Sequence, residues 1–147
     1  MLNGTTITQL AEDIGTAVAT YTGSAKKFDG TYEIPYLVHT MMEVPNCTVS
    51  LGADSIEIWV PTQNPGEWIG GAAAMIKKRL PGLTNDKITI NATLVGGGFG
   101  RKFDHDFLDH AVQVAIGLRA KGINQPVKLF WPRTEDFSHG QYRPMAM

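Results

Sequence analysis

Apolar residues recur at intervals of three and four along three stretches of the chain, a spacing typical of one helix face. The first stretch, residues 6–21, carries Ile7, Leu10, Ile14, Ala17, Val18 and Tyr21. The second, GEWIGGAAAMIKKRL, follows Pro65 and stops at Pro81. The third runs from Asp104 to Lys121 and is closed by a glycine. We therefore predict three helices, with a small, charged, turn-forming linker over residues 22–31 after the first.

Extended patterns occupy the remaining stretches. CTVSL and SIEIWV flank a Gly-Ala-Asp turn, which predicts an antiparallel hairpin over residues 49–60. KITINATLV alternates apolar and polar residues and runs directly into GGGFG. PVKLFW supplies a further strand, and YEIPYLVHT, from Tyr32, is predicted to be extended where it enters the domain.

The resulting order is strand, strand, helix, strand, helix, strand, after the N-terminal helix. Each helix has one apolar stripe and each strand pair needs one covered face. We therefore predict an α+β fold, a two-layer sandwich with helices packed on one face of a mixed β-sheet. We divide the chain into an N-terminal helix and linker, 1–31, and a partial domain, 32–147. Because residues 142–147 carry no stop signal, we expect the chain to end within a longer protein.

Composition narrows the class of protein. A chain of 147 residues, 43% hydrophobic and 18% charged, can bury about two-thirds of its unfolded surface in one core. Thirteen basic residues against 14 acidic ones give no reason to expect nucleic acid or an acidic membrane surface as a partner. No apolar run reaches the ~20 residues of a membrane span, and the N-terminus lacks a secretory signal. We expect a soluble chain.

A single cysteine limits the possible covalent and metal chemistry. Cys47 cannot form an internal disulfide framework, and the same count excludes a metal site built from several protein thiolates. Any metal site in this chain would therefore depend on other ligands.

The segment GGGFGRK is the strongest local motif. Four glycines in five positions let backbone amides approach a ligand closely and form an anion-binding concavity ahead of a helix. No GK[ST] follows, and Arg101 breaks the GxGxxG spacing, so neither nucleotide fingerprint is met. On the motif alone, a ligand loop and a structural turn are equally good interpretations.

Other polar residues have local explanations. Gln63 lies just past a strand in WVPTQNPG, and its local context favours a solvated loop residue. Its amide could nevertheless present a donor and an acceptor at the rim of a sheet. The run DHDFLDH could suggest metal, but acidic residues at a helix start more simply complement the helix dipole. His39 and Glu43 lie in an irregular segment before Pro45, for which a structural role is the better local interpretation.

Four stretches, taken in order, match motifs of one enzyme family. They are YEIPYLVHTMMEVPNCTV, EIWVPTQNPG, GGGFGRKFDHDFLDHAVQVA and PVKLFWPRTEDFSHGQYRP. The first parallels a family pattern like YxxPYxxHAPMEPxNCTA. From about Tyr32 to Pro144 the chain therefore resembles the large subunit of the xanthine dehydrogenase and aldehyde oxidase family, especially its isoquinoline 1-oxidoreductase beta-subunit branch. The resemblance covers most of this chain and a minor part of a family subunit.

The resemblance implies a molybdopterin cofactor, in its cytosine dinucleotide form, whose dithiolene and not protein thiolates holds molybdenum. Gln63 matches the glutamine whose amide approaches the apical oxygen ligand of the metal. Phe99 and Gly100 match the pair that lies against the molybdenum centre. The cofactor-binding residues implied in this way are Gln63, Gly96, Gly97, Gly98, Phe99, Gly100 and Arg101.

Two departures limit what the resemblance implies. Phe103 stands where purine-oxidising members carry a substrate-binding glutamate, which disfavours a purine substrate. The family's activating glutamate would lie beyond Met147, so no catalytic base is named. We expect a segment of a molybdenum hydroxylase acting on an aldehyde or N-heterocycle with water-derived oxygen, inactive alone.

The implied partners are the remaining large-subunit polypeptide, an iron-sulfur subunit that carries the clusters, and a small-molecule substrate. A periplasmic location would require an export signal outside this chain, which as given is expected to be cytoplasmic. Two alternatives stay open. The chain could be a non-catalytic truncated scaffold or protein-interaction module, or a general phosphate or nucleotide binder using the glycine turn.

Overall fold

The computed structural model describes residues 15–145, which fall into two compact units. The smaller unit combines the described parts of residues 1–37 and 143–147. It contains helix α1, Ala17–Gly23, and an antiparallel bridge between Leu37 and Arg143. The predicted helix over residues 6–21 lies partly outside the described residues, and α1 covers its C-terminal end.

The larger unit, residues 38–142, contains the remaining elements. Two strands come first and form the predicted hairpin. In chain order the elements are β1 (Asn46–Leu51), β2 (Ile56–Pro61), α2 (Pro65–Arg79), β3 (Ile88–Thr93), α3 (Asp106–Ala120), β4 (Val127–Phe130) and α4 (Arg133–Ser138). Short 3-10 turns precede β3 at Asn85–Lys87 and α3 at Arg101–Phe103.

The four strands form one mixed sheet in the order β3-β2-β1-β4. Strand β1 pairs antiparallel with both β2 and β4, whereas β2 and β3 are parallel. The register places Ile58 opposite Val49 on one side and Ile90 on the other. The parallel pair is possible because α2 carries the chain from the end of β2 back to the start of β3.

The core lies between one face of the sheet and helices α2 and α3. Alternate residues of β2 point into it, whereas Glu57 and Trp59 between them are exposed. Burial of each large apolar side chain stabilises the fold by roughly 1.5–3 kcal/mol. The buried residues include Cys47, Val49, Ile56, Ile58, Val60, Trp68, Ala72, Ile76, Phe107, Leu108, Ala111, Val112 and Trp131. The predicted α+β class, with a mixed sheet, is confirmed.

Two local features differ from the sequence-based prediction. Strand β3 ends at Thr93, so that Leu94, which is 94% exposed, and Val95 leave the sheet before the glycines. Helix α4 was not predicted, because its six residues are too few to show a helical period. Its start carries the acidic residues Glu135 and Asp136, as a helix dipole favours.

Among residues 15–145 no helix is both long and apolar enough to cross a membrane.

Candidate functional site

The predicted site residues come together at one edge of the sheet. Gln63 follows β2 directly, and residues 96–102, which we call the glycine loop, follow β3 by two residues. Because β2 and β3 are parallel neighbours, with Pro61 opposite Thr93, their C-terminal ends reach the same edge. This edge is where parallel α/β units usually bind ligands.

A pair of hydrogen bonds joins Gln63 to the glycine loop. Its side-chain Oε1 accepts from the backbone nitrogen of Gly100 at 2.9 Å and from that of Lys102 at 3.3 Å. Both donors engage the oxygen, so the amide has one orientation and its Nε2 group is left to donate elsewhere. The fit is close, because a Cβ added to Gly98 would lie only 2.2 Å from Gln63 Oε1.

The backbone of the glycine loop turns through left-handed conformations. Gly97, Phe99 and Gly100 have φ angles of 89°, 51° and 100°. Left-handed φ is strained for phenylalanine, at a cost of about 1–3 kcal/mol, whereas glycine adopts it readily. Phe99 is 70% exposed. Within residues 15–145, the amides of Gly97, Gly98 and Phe99 donate to no described group.

Glu43 holds the start of the glycine loop. Its Oε2 accepts from the backbone nitrogen of Gly96 at 2.8 Å and from the Nζ of Lys102, and its own amide donates to the Gly96 carbonyl at 3.1 Å. Partial burial by itself raises the pKa of Glu43, but the Lys102 ammonium and the Gly96 amide outweigh burial and lower the pKa below 4.5. Glu43 is therefore a carboxylate at neutral pH.

Arg101 lies on the buried side of the glycine loop. Only 1% of its side chain is exposed, and its guanidinium forms a two-point ion pair with Asp106, at 2.5 and 3.1 Å. Asp104 accepts a further bond at 3.2 Å, and the Trp131 ring centroid lies 5.4 Å from the guanidinium carbon. With these partners, the guanidinium anchors the end of the loop to the start of α3.

The DHDFLDH run is distributed over separate contacts. Asp106 pairs with Arg101, while Asp109 pairs with Arg79 at 2.6 Å, a hydrogen-bonded contact that lowers the pKa of Asp109 below 3.8. His105 packs on Trp68, with ring centroids 4.6 Å apart. No group of three or more His, Cys, Asp or Glu side chains suited to a metal ion occurs within the described part of the chain.

Sequence reasoning missed Thr62 and Lys102 as contributors to the site and assigned His39 only a structural role. Thr62 Oγ1 donates to the Lys102 carbonyl at 3.2 Å. His39 Nδ1 is buried without a partner among residues 15–145, and His39 Nε2 would lie 3.7 Å from a Cβ on Gly100. Their contacts are with residues far along the chain, so the only sequence signal was their place inside or beside the matched motifs.

The donor set suits a polar organic cofactor better than a bare metal ion. Glycines allow close backbone approach, a Cβ at Gly98 would fill the space beside Gln63, and three loop amides point to no described acceptor. A cofactor that carries its own metal ligands needs no protein thiolate, and the single cysteine, Cys47, is buried in the core. The residues present therefore fit molybdopterin.

The domain is α+β, and the parallel pair of its mixed sheet brings an amide side chain and a glycine-rich loop to one edge. This arrangement is that of a cofactor-binding domain. Residues 3–147 match the molybdopterin cofactor-binding domain, and this chain belongs to that family. Two of the relatives below are named as subunits of oxidoreductases, one of them as a molybdenum-binding subunit.

Individual relatives are all much longer proteins. The beta subunit of isoquinoline 1-oxidoreductase from Brevundimonas diminuta is 34% identical over 69% of this chain and 12% of its own length. The nicotinate dehydrogenase large molybdopterin subunit of Eubacterium barkeri is 33% identical over 81% of this chain and 26% of its own. The aldehyde oxidoreductase molybdenum-binding subunit of Escherichia coli K12 is 26% identical, over 92% and 17%.

The fold is also found in a solved structure. Quinoline 2-oxidoreductase from Pseudomonas putida 86 superposes with a TM-score of 0.57 at 22% identity, covering 86% of this chain and 15% of that one. The chain thus spans between about a tenth and a quarter of the proteins it matches.

Proposed function

We propose that this chain contributes one wall of a molybdopterin site in the large subunit of a molybdenum hydroxylase. The observation that carries the proposal is the hydrogen bond from the Gly100 amide to Gln63 Oε1. It joins, at one sheet edge, the two motifs whose residues the family resemblance assigns to the cofactor. The proposed cofactor-binding residues are Gln63, Gly96, Gly97, Gly98, Phe99 and Gly100, and Arg101 supports them from the buried side of the loop.

Gln63 acts in this proposal through its Nε2 group. Because Oε1 is held by the amides of Gly100 and Lys102, the NH2 end is left to donate a hydrogen bond to an oxygen on the metal. The amides of Gly97, Gly98 and Phe99, which donate to no described group, would bind polar edges of the pterin or its phosphate. Arg101 contributes from the buried side, where its ion pair with Asp106 holds the loop in place.

When bound, the molybdenum cofactor would supply the two-electron oxidation that accompanies hydroxylation with water-derived oxygen. The residues of this chain bind and orient; we assign none of them as a general base. By resemblance the substrate is an aldehyde or an N-heterocycle. Completion of the site needs the rest of the large subunit, and the electron exit needs iron-sulfur clusters on a partner subunit. The proposed cofactor form is the cytosine dinucleotide.

The test is to purify the chain, with whatever co-purifies, from a molybdate-supplied host and to measure molybdenum together with released pterin. Near-stoichiometric molybdenum and pterin would support the proposal. A folded complex that lacks both would overturn it. Mass analysis of the released nucleotide distinguishes the cytosine dinucleotide from the simple pterin form.

A non-catalytic scaffold is the second candidate, favoured by the apolar side chains that the described residues leave in solvent. Met42, which precedes Glu43, is 92% exposed, and Leu94, two residues before the glycine loop, is 94% exposed. An exposed apolar surface of this kind suits a protein contact. A folded, metal-free chain that forms a stable complex with another polypeptide would favour this function.

A further inference from the structure

One carboxylate fixes both ends of the glycine loop. Glu43 Oε2 accepts from the Gly96 amide, where the loop begins, and from the Nζ of Lys102, where it ends. Gly96 must be glycine for this approach, because an added Cβ would lie 2.7 Å from the Cβ of Glu43. A loop whose ends share one anchor has little freedom to change the distance between them.

The backbone of Lys102 makes two further connections, both to the end of β2. Its amide donates to Gln63 Oε1 at 3.3 Å, and its carbonyl accepts from Thr62 Oγ1 at 3.2 Å. Lys102 therefore joins the segment around Glu43, the glycine loop and the segment around Gln63. A shift of Lys102 would move the loop and Gln63 together.

The side chains of Lys102 and Glu43, which form an ion pair, differ in how far they are buried. Lys102 is 0% exposed, whereas the Glu43 side chain is 32% exposed. Removing an ammonium from water is costly, and a well-packed apolar side chain of similar size often stabilises a fold as well or better. Packing alone therefore does not explain a buried lysine at this position. A requirement for fixed loop geometry does explain it.

We propose that Glu43 and Lys102 are a positioning pair that holds the glycine loop against Gln63 in the geometry required to retain the cofactor. This inference rests on the proposed function. It assigns to the pair no contact with the reacting atoms. Its effect is exerted through the Gly96 amide at one end and the Lys102 backbone at the other.

The test compares Lys102→Met and Glu43→Gln with wild type, in the chain purified together with its co-purifying polypeptides. Two quantities are measured: hydrogen exchange of the hydrogen-bonded loop amides, which are those of Gly96, Gly100, Arg101 and Lys102, and molybdenum with released pterin per folded chain. Lys102→Met keeps an unbranched side chain that matches the apolar stem of lysine, and removes the ammonium. Glu43→Gln keeps the shape and an acceptor for Gly96, and removes the charge.

We expect Lys102→Met to accelerate exchange of these four amides by about tenfold or more while exchange in β1 and β2 stays at the wild-type rate. We expect its cofactor content to fall by about tenfold or more, with a smaller fall for Glu43→Gln. The matched control is Lys87→Met, because Lys87 also pairs with an acidic residue, Asp54 at 3.1 Å, but on the surface. It should change neither quantity.

Wild-type exchange and wild-type cofactor content in Lys102→Met would overturn the positioning pair. If Lys102→Met does not fold, Glu43→Gln decides by the same two measurements, and no change in either overturns the proposal. A wild-type protein without molybdenum and pterin would instead overturn the proposed function. In that case hydrogen exchange alone tests whether the pair holds the loop.

Discussion

The side-chain oxygen of Gln63 lies 2.9 Å from the backbone nitrogen of Gly100, although 37 residues separate the two in sequence. The contact follows from topology, because β2 and β3 run parallel and deliver the chain after each strand to one edge of the sheet. Both residues had been selected by family resemblance for a role at the same metal centre. Their direct hydrogen bond shows that the two residues are adjacent in the fold, as the proposed function requires.

Replacing Gln63 with alanine tests this contact. Two backbone amides lose their acceptor at a partly exposed position, so we expect a loss of stability of about 1 kcal/mol. In the assembled enzyme we expect turnover per molybdenum to fall by about 10–100-fold. The control is Gln113→Ala, which removes another exposed glutamine, bonded to Asp109 at 2.9 Å on α3. Equal turnover in the two variants would contradict a cofactor role for Gln63.

Replacing Gly98 with alanine tests the close approach between the loop and Gln63. The added Cβ would lie 2.2 Å from Gln63 Oε1 and 2.5 Å from its Cδ. Because that side chain is exposed, we expect it to be displaced while the chain remains folded, with a loss of stability of about 1–2 kcal/mol. Cofactor content should fall about tenfold, as measured by molybdenum and pterin per chain.

A helical glycine provides the control for Gly98→Ala. Gly117 in α3 has nothing within 4 Å of an added Cβ and a normal φ, so Gly117→Ala should stabilise the chain by about 0.5–1 kcal/mol. Its cofactor content should match that of wild type. If Gly98→Ala retained full cofactor content, cofactor binding would not depend on the fit between Gly98 and Gln63.

Elements with a clear hydrophobic period could be predicted from the sequence. The hairpin of β1 and β2 and the helices α2 and α3 were found within a few residues, because each buries one face against the same core. The parallel pairing of β2 with β3 could not be read from the sequence, since strand order depends on contacts between distant segments. That pairing brings Gln63 to the loop.

The candidate site, like the fold, could be predicted from the sequence only in part. The resemblance selected Gln63 and the glycines, which lie within matched motifs, whereas the role of Lys102 depends on Glu43, 59 residues away. Local pattern suggested only a structural role for Glu43, without its partner. Arg101 was grouped with cofactor-binding residues by its position in the motif, and its burial against Asp106 could not be foreseen from spacing alone.

The single cysteine should be unreactive in the folded chain. Cys47 is 1% exposed, and burial raises the pKa of its thiol to about 12. At pH 8 only about one thiol in ten thousand would be the reactive thiolate. We expect alkylation by iodoacetamide to be more than about a hundredfold slower than in denaturing urea, as followed by mass spectrometry. Equal rates under native and denaturing conditions would show that this part of the core is open.

The ion pair between Arg101 and Asp106 should contribute measurably to stability. The Arg101 guanidinium is buried, so removing its two-point partner with Asp106→Asn leaves a charge served mainly by Asp104. We expect the free energy of unfolding to fall by about 3 kcal/mol, the lower end of the range for a broken buried pair, because Asp106 is 37% exposed. Urea titration measures the change.

The surface variant Lys87→Met is again the comparison for Asp106→Asn. Its partner Asp54 is 76% exposed, and surface pairs of this kind contribute little, so we expect no measurable change in the urea midpoint. Equal shifts of the urea midpoint in the two variants would mean that the buried Arg101 pair stabilises the fold no more than a surface pair does.

His105 should make stability depend on pH below neutrality. Burial lowers the pKa of this imidazole below 6.5, against the opposing effects of the Trp68 carbonyl, Asp104 and Asp106. Between the folded pKa and 6.5 the unfolded chain binds more protons, so stability is lost as pH falls through that window. We expect His105→Gln to flatten this part of the curve in urea titrations, whereas Gln113→Ala should keep the wild-type slope. An unchanged slope in His105→Gln would assign the pH dependence to other groups.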